Sequence, residues 1–510
     1  MKMLNVLELL NNYKGWVEKG KIQFLQNNAP EQNNILHLLE DFISDFSVAL
    51  KKGDLSSNLD WQVAHKKGRA LWQKLASYAL NDIDPDSKGN SELFEYLDEA
   101  ANFEELLYGL EDYYRDHTLH SLWVYFIGEH ILRDHLPEMN DNLNWYLFND
   151  IEREKKQHPP KLFTDSKNKE KALLKAVNKN RDAIWCIMAL CHDLGYSLSK
   201  LDSLNEKVKN VLKFFDIPDF RHLGYSLDIE HHYIITQFLE LMAMDVRIVP
   251  SPDKKDVLIK CYRDDSTYWR LSRALEKKQH GILSSYLIYK ILGIFADAWI
   301  RGSAEEWGLD DIEVFDNIVR GDILFAIAQH DFDFAHLNQI GSLADILILA
   351  DELEEFSRYG RKMLTRKYYD TTAEAGISFS FSKIQNKKEI EIVIKYEVAE
   401  HHSINKFFER KTEKLCKFYS LGQDPDENLT IATIYRIKSI KMVTVKNDEE
   451  YWVHFFKDSN RNIAYLPATM IDGKKYSKKE YCIKCYDDKI KVILDKNTQI
   501  SLKEFFENVK

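Results

Sequence analysis

Cysteine is scarce in this chain. The 510 residues include six, Cys186, Cys191, Cys261, Cys416, Cys482 and Cys485, too few for a disulfide framework at this length and in keeping with a reducing compartment. Long apolar runs are missing too, since none approaches the roughly 20 residues that span a bilayer. Residues 1–20 interleave apolar positions with Glu8, Lys14, Glu18 and Lys19, unlike the uninterrupted apolar core and small-residue cleavage site of a secretory leader. The expectation is a cytoplasmic protein with no membrane partner. No internal repeat and no low-complexity segment is found.

Positive charge is in short supply over most of the length. The formal net charge is −11, and from Gly376 onward there are 25 Lys and Arg against 20 Asp and Glu, so the tail carries +5 and the preceding body −16. An acidic body is a poor partner for a long nucleic-acid duplex, whose binding depends on neutralising phosphates. A small anionic substrate stays compatible, because a bound metal can supply positive charge locally.

What is present is the composition of an ordered globular protein: 45% hydrophobic residues, with 27 Phe, 26 Tyr and 10 Trp. At this length two or three domains are expected. Up to about Tyr369, apolar residues recur at three and four, predicting helices such as Ser91 to Leu110, Leu119 to Leu132, Asp182 to Cys191, Ile229 to Met244, His280 to Ile300 and Leu343 to Arg361. Between them, Glu138 to Asn144, the Lys-rich Glu152 to Lys179 and Val249 to Lys255 read as polar surface connectors. After about Thr372 short alternating segments predict strands, from Ile377 to Phe381 through Tyr451 to Phe456, with one helix at Ile404 to Tyr419. The expected organisation is an N-terminal helical region (1–90), a helical catalytic core with insertions (91–371) and a smaller C-terminal α+β domain (372–510).

The strongest local signal is the run from Trp185 to Gly195, an apolar helix ending in Cys191-His192-Asp193-Leu194-Gly195. Adjacent imidazole and carboxylate emerge there at the edge of the core, where both can bind one cation. Alone, the pair reads equally well as a capping Asp beside a buried His. Two further inward-facing groups add weight. His120 opens a run with Val124, Ile127 and Ile131 behind it at helical spacing, so its imidazole needs a buried partner; His117, one turn earlier, is a substitute. Asp351 lies on the almost wholly apolar stretch Leu343 to Leu353, where a carboxylate is costly unless it meets a metal or a cation, with Arg358 the bland partner.

Taken in order, His120, then His192-Asp193, then Asp351, these residues resemble the HD-domain metal-dependent phosphohydrolase superfamily, whose signature is a first His, a His-Asp pair and a distal Asp on a helical bundle. Two intermediate histidines extend the likeness: His280-Gly281 resembles the family's "HG" helix start, and Ala326-Ile327 to His330 resembles its "AI..H" segment. Members with a second metal ion use those two positions. The match runs from about Glu111 to Arg361, half the chain.

The resemblance implies a mainly α fold with an HD-type bundle. It also implies a site for one or two divalent ions (Mn, Mg, Fe, Co, Ni or Zn), with His120, His192, Asp193 and Asp351 on the principal ion and His280 and His330 on a second bridged by Asp193. The activity implied is that of a phosphohydrolase or phosphodiesterase on a nucleotide or another small phosphorylated substrate. Asp193, Arg115 and Arg358 are the catalytic candidates, the two arginines as phosphate contacts. Tyr196 stands where the cyclic-dinucleotide phosphodiesterases carry Lys, and Tyr196-Ser-Leu-Ser is not the longer continuation of the dNTP-triphosphohydrolases, so neither branch supplies the substrate. A noncatalytic regulatory or binding protein on the same fold and a di-iron oxygenase stay open as alternatives, as does assembly into a homo-oligomer. His231 and His232 read as structural, and Cys482 with Cys485 has zinc-ribbon spacing on one side only.

Overall fold

The computed structural model describes residues 4–359 apart from short stretches, the longest being 53–58, 108–115, 137–146, 152–157, 216–222 and 293–310. Beyond 359 it describes strands between 376 and 501 together with Lys411 and Leu415. The chain is mostly helical. Among the described residues, no helix is long and apolar enough to cross a membrane.

At the centre lies the His117–His130 helix, every residue of which is buried. Asp116 caps it by accepting from the Leu119 N–H at 3.1 Å, satisfying one of the donors a helix start leaves open. Helices Ala29–Lys51 and Trp61–Ile83 close over one side. There Trp123 stacks on Phe42 with ring centroids 5.8 Å apart and meets Phe46 edge-on at 5.6 Å. Trp72 donates its indole N–H to Leu190 O at 3.0 Å and to Ser121 Oγ at 3.2 Å, tying the outer helix to both His117–His130 and Arg181–Cys191. Truncating Trp123 to alanine would cost about 3–5 kcal/mol by lost burial and the cavity left behind.

The Arg181–Cys191 helix is also buried at every position. Leu343–Leu353 begins with a reciprocal capping box between Ser342 and Asp345. His280–Ile291 and Asp311–Gln329 complete the set of helices whose ends converge on one region.

Several segments depart from the periodicity reading. Residues 244–263 form a hairpin, Met244–Pro250 paired antiparallel with Val257–Arg263, where a helix end and a connector were expected. Leu147–Asn149 adds a parallel third strand to it. Pro160–Asn178 is a helix within the Lys-rich stretch read as a connector. The Leu343 helix stops at Leu353, because Glu354 turns extended, and Phe356–Tyr359 follows as a 3-10 turn.

The C-terminal strands join in a sheet that is antiparallel except where Glu389–Glu397 runs parallel to Tyr435–Lys446. Gln339–Ile340, from the helical part, pairs antiparallel with Tyr435 and Arg436 at the start of an interior strand of that sheet. Ile390, Ile392, Ile394 and Tyr396 alternate inward and share one continuous apolar core with the helices. The expected helix Ile404 to Tyr419 and the Thr372 boundary lie largely outside the described residues.

Candidate metal centre

Four imidazoles and two carboxylates from five helix ends meet at one place. His192 caps the Arg181–Cys191 helix, and its Nδ1 donates to Ala189 O at 2.8 Å. His330, just past the Asp311–Gln329 helix, repeats that geometry, with Nδ1 donating to Ile327 O at 2.6 Å. His120 Nδ1 is 2.6 Å from Glu354 Oε2, and His280 Nδ1 is 2.7 Å from Asp331 Oδ2. A carbonyl or carboxylate oxygen can only accept, so each Nδ1 holds the ring proton and each neutral ring presents an Nε2 lone pair.

Those Nε2 atoms point at one another. His120 and His192 Nε2 are 3.4 Å apart, and His280 and His330 Nε2 are 3.1 Å apart. Two lone pairs at that separation repel unless something positive lies between them. Asp193 reaches both pairs with different oxygens. Its Oδ2 is 3.4 Å from His120 Nε2 and 3.5 Å from His192 Nε2, and its Oδ1 is 3.1 Å from His280 Nε2 and 3.6 Å from His330 Nε2. Asp351 Oδ1 lies 2.9 Å from His120 Nε2. Two groups, His120 with His192 and Asp193, and Asp193 with His280 and His330, each have ligand atoms within 4.8 Å of one another and could hold a metal ion. The donor set, imidazole and carboxylate without thiolate, suits a divalent transition metal or Mg²⁺.

Two glycines make this convergence possible. A Cβ on Gly195 would sit 2.5 Å from Ser284 N and 2.6 Å from His280 O, so only glycine lets the His192-Asp193 turn press against the His280 helix. There Gly195 N–H donates to Ser284 Oγ at 2.7 Å. A Cβ on Gly281 would lie 2.8 Å from Ile327 O and 2.9 Å from Ala328 O, which brings the His280 and His330 helices together.

The electrostatics follow from burial and charge. Burial pushes the His192 imidazole down to about 4, offset in part by Asp193. For Asp193 burial acts to raise the pKa, yet His192, His280 and His330 outweigh it and hold the carboxylate well below its usual range. Burial likewise opposes charge on His280, but Asp331 and then Asp193 overcome it and raise the ring to about 10. The second cluster thus attracts a cation strongly, and with protons alone to share it takes one.

Every predicted ligand position, His120, His192, Asp193, His280, His330 and Asp351, falls within this cluster. His117 is in neither ligand group; its ring packs on Tyr196 with centroids 3.8 Å apart. His117 also lines a narrow cleft of about 20 Å³ with Trp72, Leu97, Ser121 and Asp193. His232 is exposed and His231 half-buried on the outer surface. Arg115 and the side chain of Arg358 lie outside the described residues. Sequence reasoning missed Glu354 and Asp331, the carboxylates that orient His120 and His280. Asp331 had a signal in its adjacency to His330, and Glu354 in standing three residues after Asp351.

The comparisons with known proteins add no relative: no family model matches the chain, no curated protein matches it, and no solved structure matches it.

Proposed function

We propose that this chain is a metal-dependent phosphohydrolase or phosphodiesterase of the HD-domain type, acting on a nucleotide or another small phosphorylated molecule. The observation that carries the reading is the division of one carboxylate between two pairs of facing Nε2 atoms, Asp193 Oδ2 toward His120 and His192 and Oδ1 toward His280 and His330. In this reading His120, His192, Asp193 and Asp351 hold the principal ion, and His280 and His330 with Asp193 hold a second. Divalent ions bound there would lower the pKa of a water and neutralise charge on a phosphoryl oxygen.

The remaining work falls to the chain. Glu354 and Asp331 fix the ring orientation and tautomer of His120 and His280, which raises their basicity as ligands. Asp193, held ionised by its histidines, sets the separation of the two positions. His120 and His192 are fully enclosed, and beside them His117 and Asp193 line a narrow cleft. Arg115 and Arg358 are the candidates for gripping phosphate.

The test is metal analysis of the purified protein, followed by a screen of nucleotides and phosphate esters with Mn²⁺, Mg²⁺, Co²⁺ and Ni²⁺. Release of phosphate or cleavage of a phosphodiester, abolished by Asp193→Ala, supports the reading. Metal-bound protein that binds a nucleotide without turnover under any of the four ions points instead to a binding module. Oxygen-dependent turnover by bound iron points to an oxygenase.

A further inference from the structure

The C-terminal segment reaches the back of the metal centre through one buried lysine. Lys411 Nζ lies 2.5 Å from Glu355 Oε1 and donates to Glu352 O at 2.7 Å. It sits 5.2 Å from the ring centroid of Tyr396, on the Glu389–Glu397 strand. Both partners of the ion pair are sealed from solvent, with side chains 2% and 0% exposed. A surface ion pair of this kind would mean little, but a buried one fixes geometry, because moving either charge away from the other leaves it desolvated and uncompensated.

What Lys411 holds is the stretch that follows Asp351. Residues 354–357 are buried throughout, Glu354 and Glu355 completely. Two neighbouring carboxylates there face opposite ways. Glu354 turns to the metal centre, with Oε2 2.6 Å from His120 Nδ1, and it is locked by Ser357, whose N–H donates to Oε1 at 2.6 Å and whose hydroxyl donates to Oε2 at 2.7 Å. Glu355 turns to Lys411. The Glu352 carbonyl that Lys411 also grips belongs to the last turn of the helix carrying Asp351. One ammonium thus pins the backbone from which both Asp351 and the His120-orienting Glu354 project.

We propose that Lys411 is a positioning residue for the principal metal ion, through which the C-terminal strand region sets the placement of Asp351 and Glu354 at the site. This rests on the metal reading given above. Its consequence is selective: displacing the 352–357 stretch disturbs the ion held by His120, His192 and Asp351, while His280 and His330 come from other helices and keep theirs.

The experiment uses the full chain and Mn²⁺ alone, read by isothermal titration and by electron paramagnetic resonance, which separates an exchange-coupled Mn(II) pair from isolated ions. Lys411→Met is expected to weaken one of two sites by about tenfold or more, the scale typical of lost orienting partners, and to replace the coupled spectrum by that of isolated Mn(II). Lys411→Arg is expected to restore the pair. Glu355→Gln keeps the shape of the side chain and provides the same reading if Lys411→Met does not fold, with a loss of about tenfold. Uptake by the folded variants equal to wild type overturns the proposal, as does equal weakening of both sites in step with a lower melting temperature. Wild-type protein that takes up no Mn²⁺ overturns the metal reading and this proposal with it, whereas normal wild-type uptake with unaltered variants overturns this proposal alone.

Discussion

Glu354 Oε2 and His120 Nδ1 stand 2.6 Å apart, and neither side chain touches solvent. Their separation along the chain is 234 residues, so the fold itself assembles this pair. A carboxylate in that place fixes which imidazole nitrogen carries the proton and makes the other a better donor to a cation.

Replacing Glu354 with Gln should therefore leave the fold intact and weaken divalent-metal binding by about 10–100-fold. The amide can still accept from His120, but it loses the charge that balances a bound ion. Titration of the variant with Mn²⁺ beside a circular-dichroism spectrum checks this, and unchanged affinity would remove Glu354 from the site.

His192→Ala and Asp193→Ala should each abolish turnover and deplete bound metal, with the helical spectrum nearly unchanged. Asp193 touches both pairs of imidazoles, so its loss should empty both positions. His330→Ala should affect only the second, since its Nε2 faces His280 and Asp193 Oδ1. Metal content per chain, measured on each purified variant, distinguishes these patterns.

The pH dependence has a definite sign. His280 is raised to about 10 by Asp331 and Asp193 against burial, so near neutral pH a cation entering this cluster must expel a proton. Affinity should rise about tenfold per pH unit between roughly 7 and 9, with a proton released on binding. Raised above its ordinary 6.5, the same group stabilises the metal-free fold fully below pH 6.5 and loses that contribution as pH climbs through about 10. Calorimetry in buffers of different ionisation enthalpy counts the proton, and binding that releases none contradicts the assignment.

Gly195→Ala should lower stability by about 1–3 kcal/mol through overpacking and should weaken metal binding as well, because the methyl drives the His192-Asp193 turn off the His280 helix. Melting temperature and Mn²⁺ affinity falling together is the expected outcome. A loss of stability with full affinity would show that the turn yields without moving its ligands.

The inward faces of the site helices were legible because their signal is local: His120 sits ahead of Val124 and Ile127, and Asp351 among Leu347, Ile348 and Leu349. The orienting carboxylates were only hinted at: Asp331 stands beside His330 and Glu354 three residues after Asp351, but nothing in the sequence pairs Glu354 with His120 across 234 residues. The Pro160–Asn178 helix escaped notice because Ser166 and Glu170 lie buried on the same face as Leu162 and Leu173, which breaks the apolar stripe that marks a helix. In the 244–263 hairpin, Pro250 and Pro252 read as a loop; Pro250 ends the first strand and Pro252 lies in the turn. Met244–Pro250 pairs residue for residue with Val257–Arg263, a match between two segments that the periodicity of a single strand does not reveal.

The most direct test of the account is anomalous diffraction from crystals of the protein loaded with Mn²⁺. The account predicts two peaks about 3.5–4 Å apart, one against His120, His192 and Asp351, the other against His280 and His330, with Asp193 shared between them. A single peak with His280 and His330 turned away would contradict the second position, and no peak at Asp193 would contradict the metal centre as a whole.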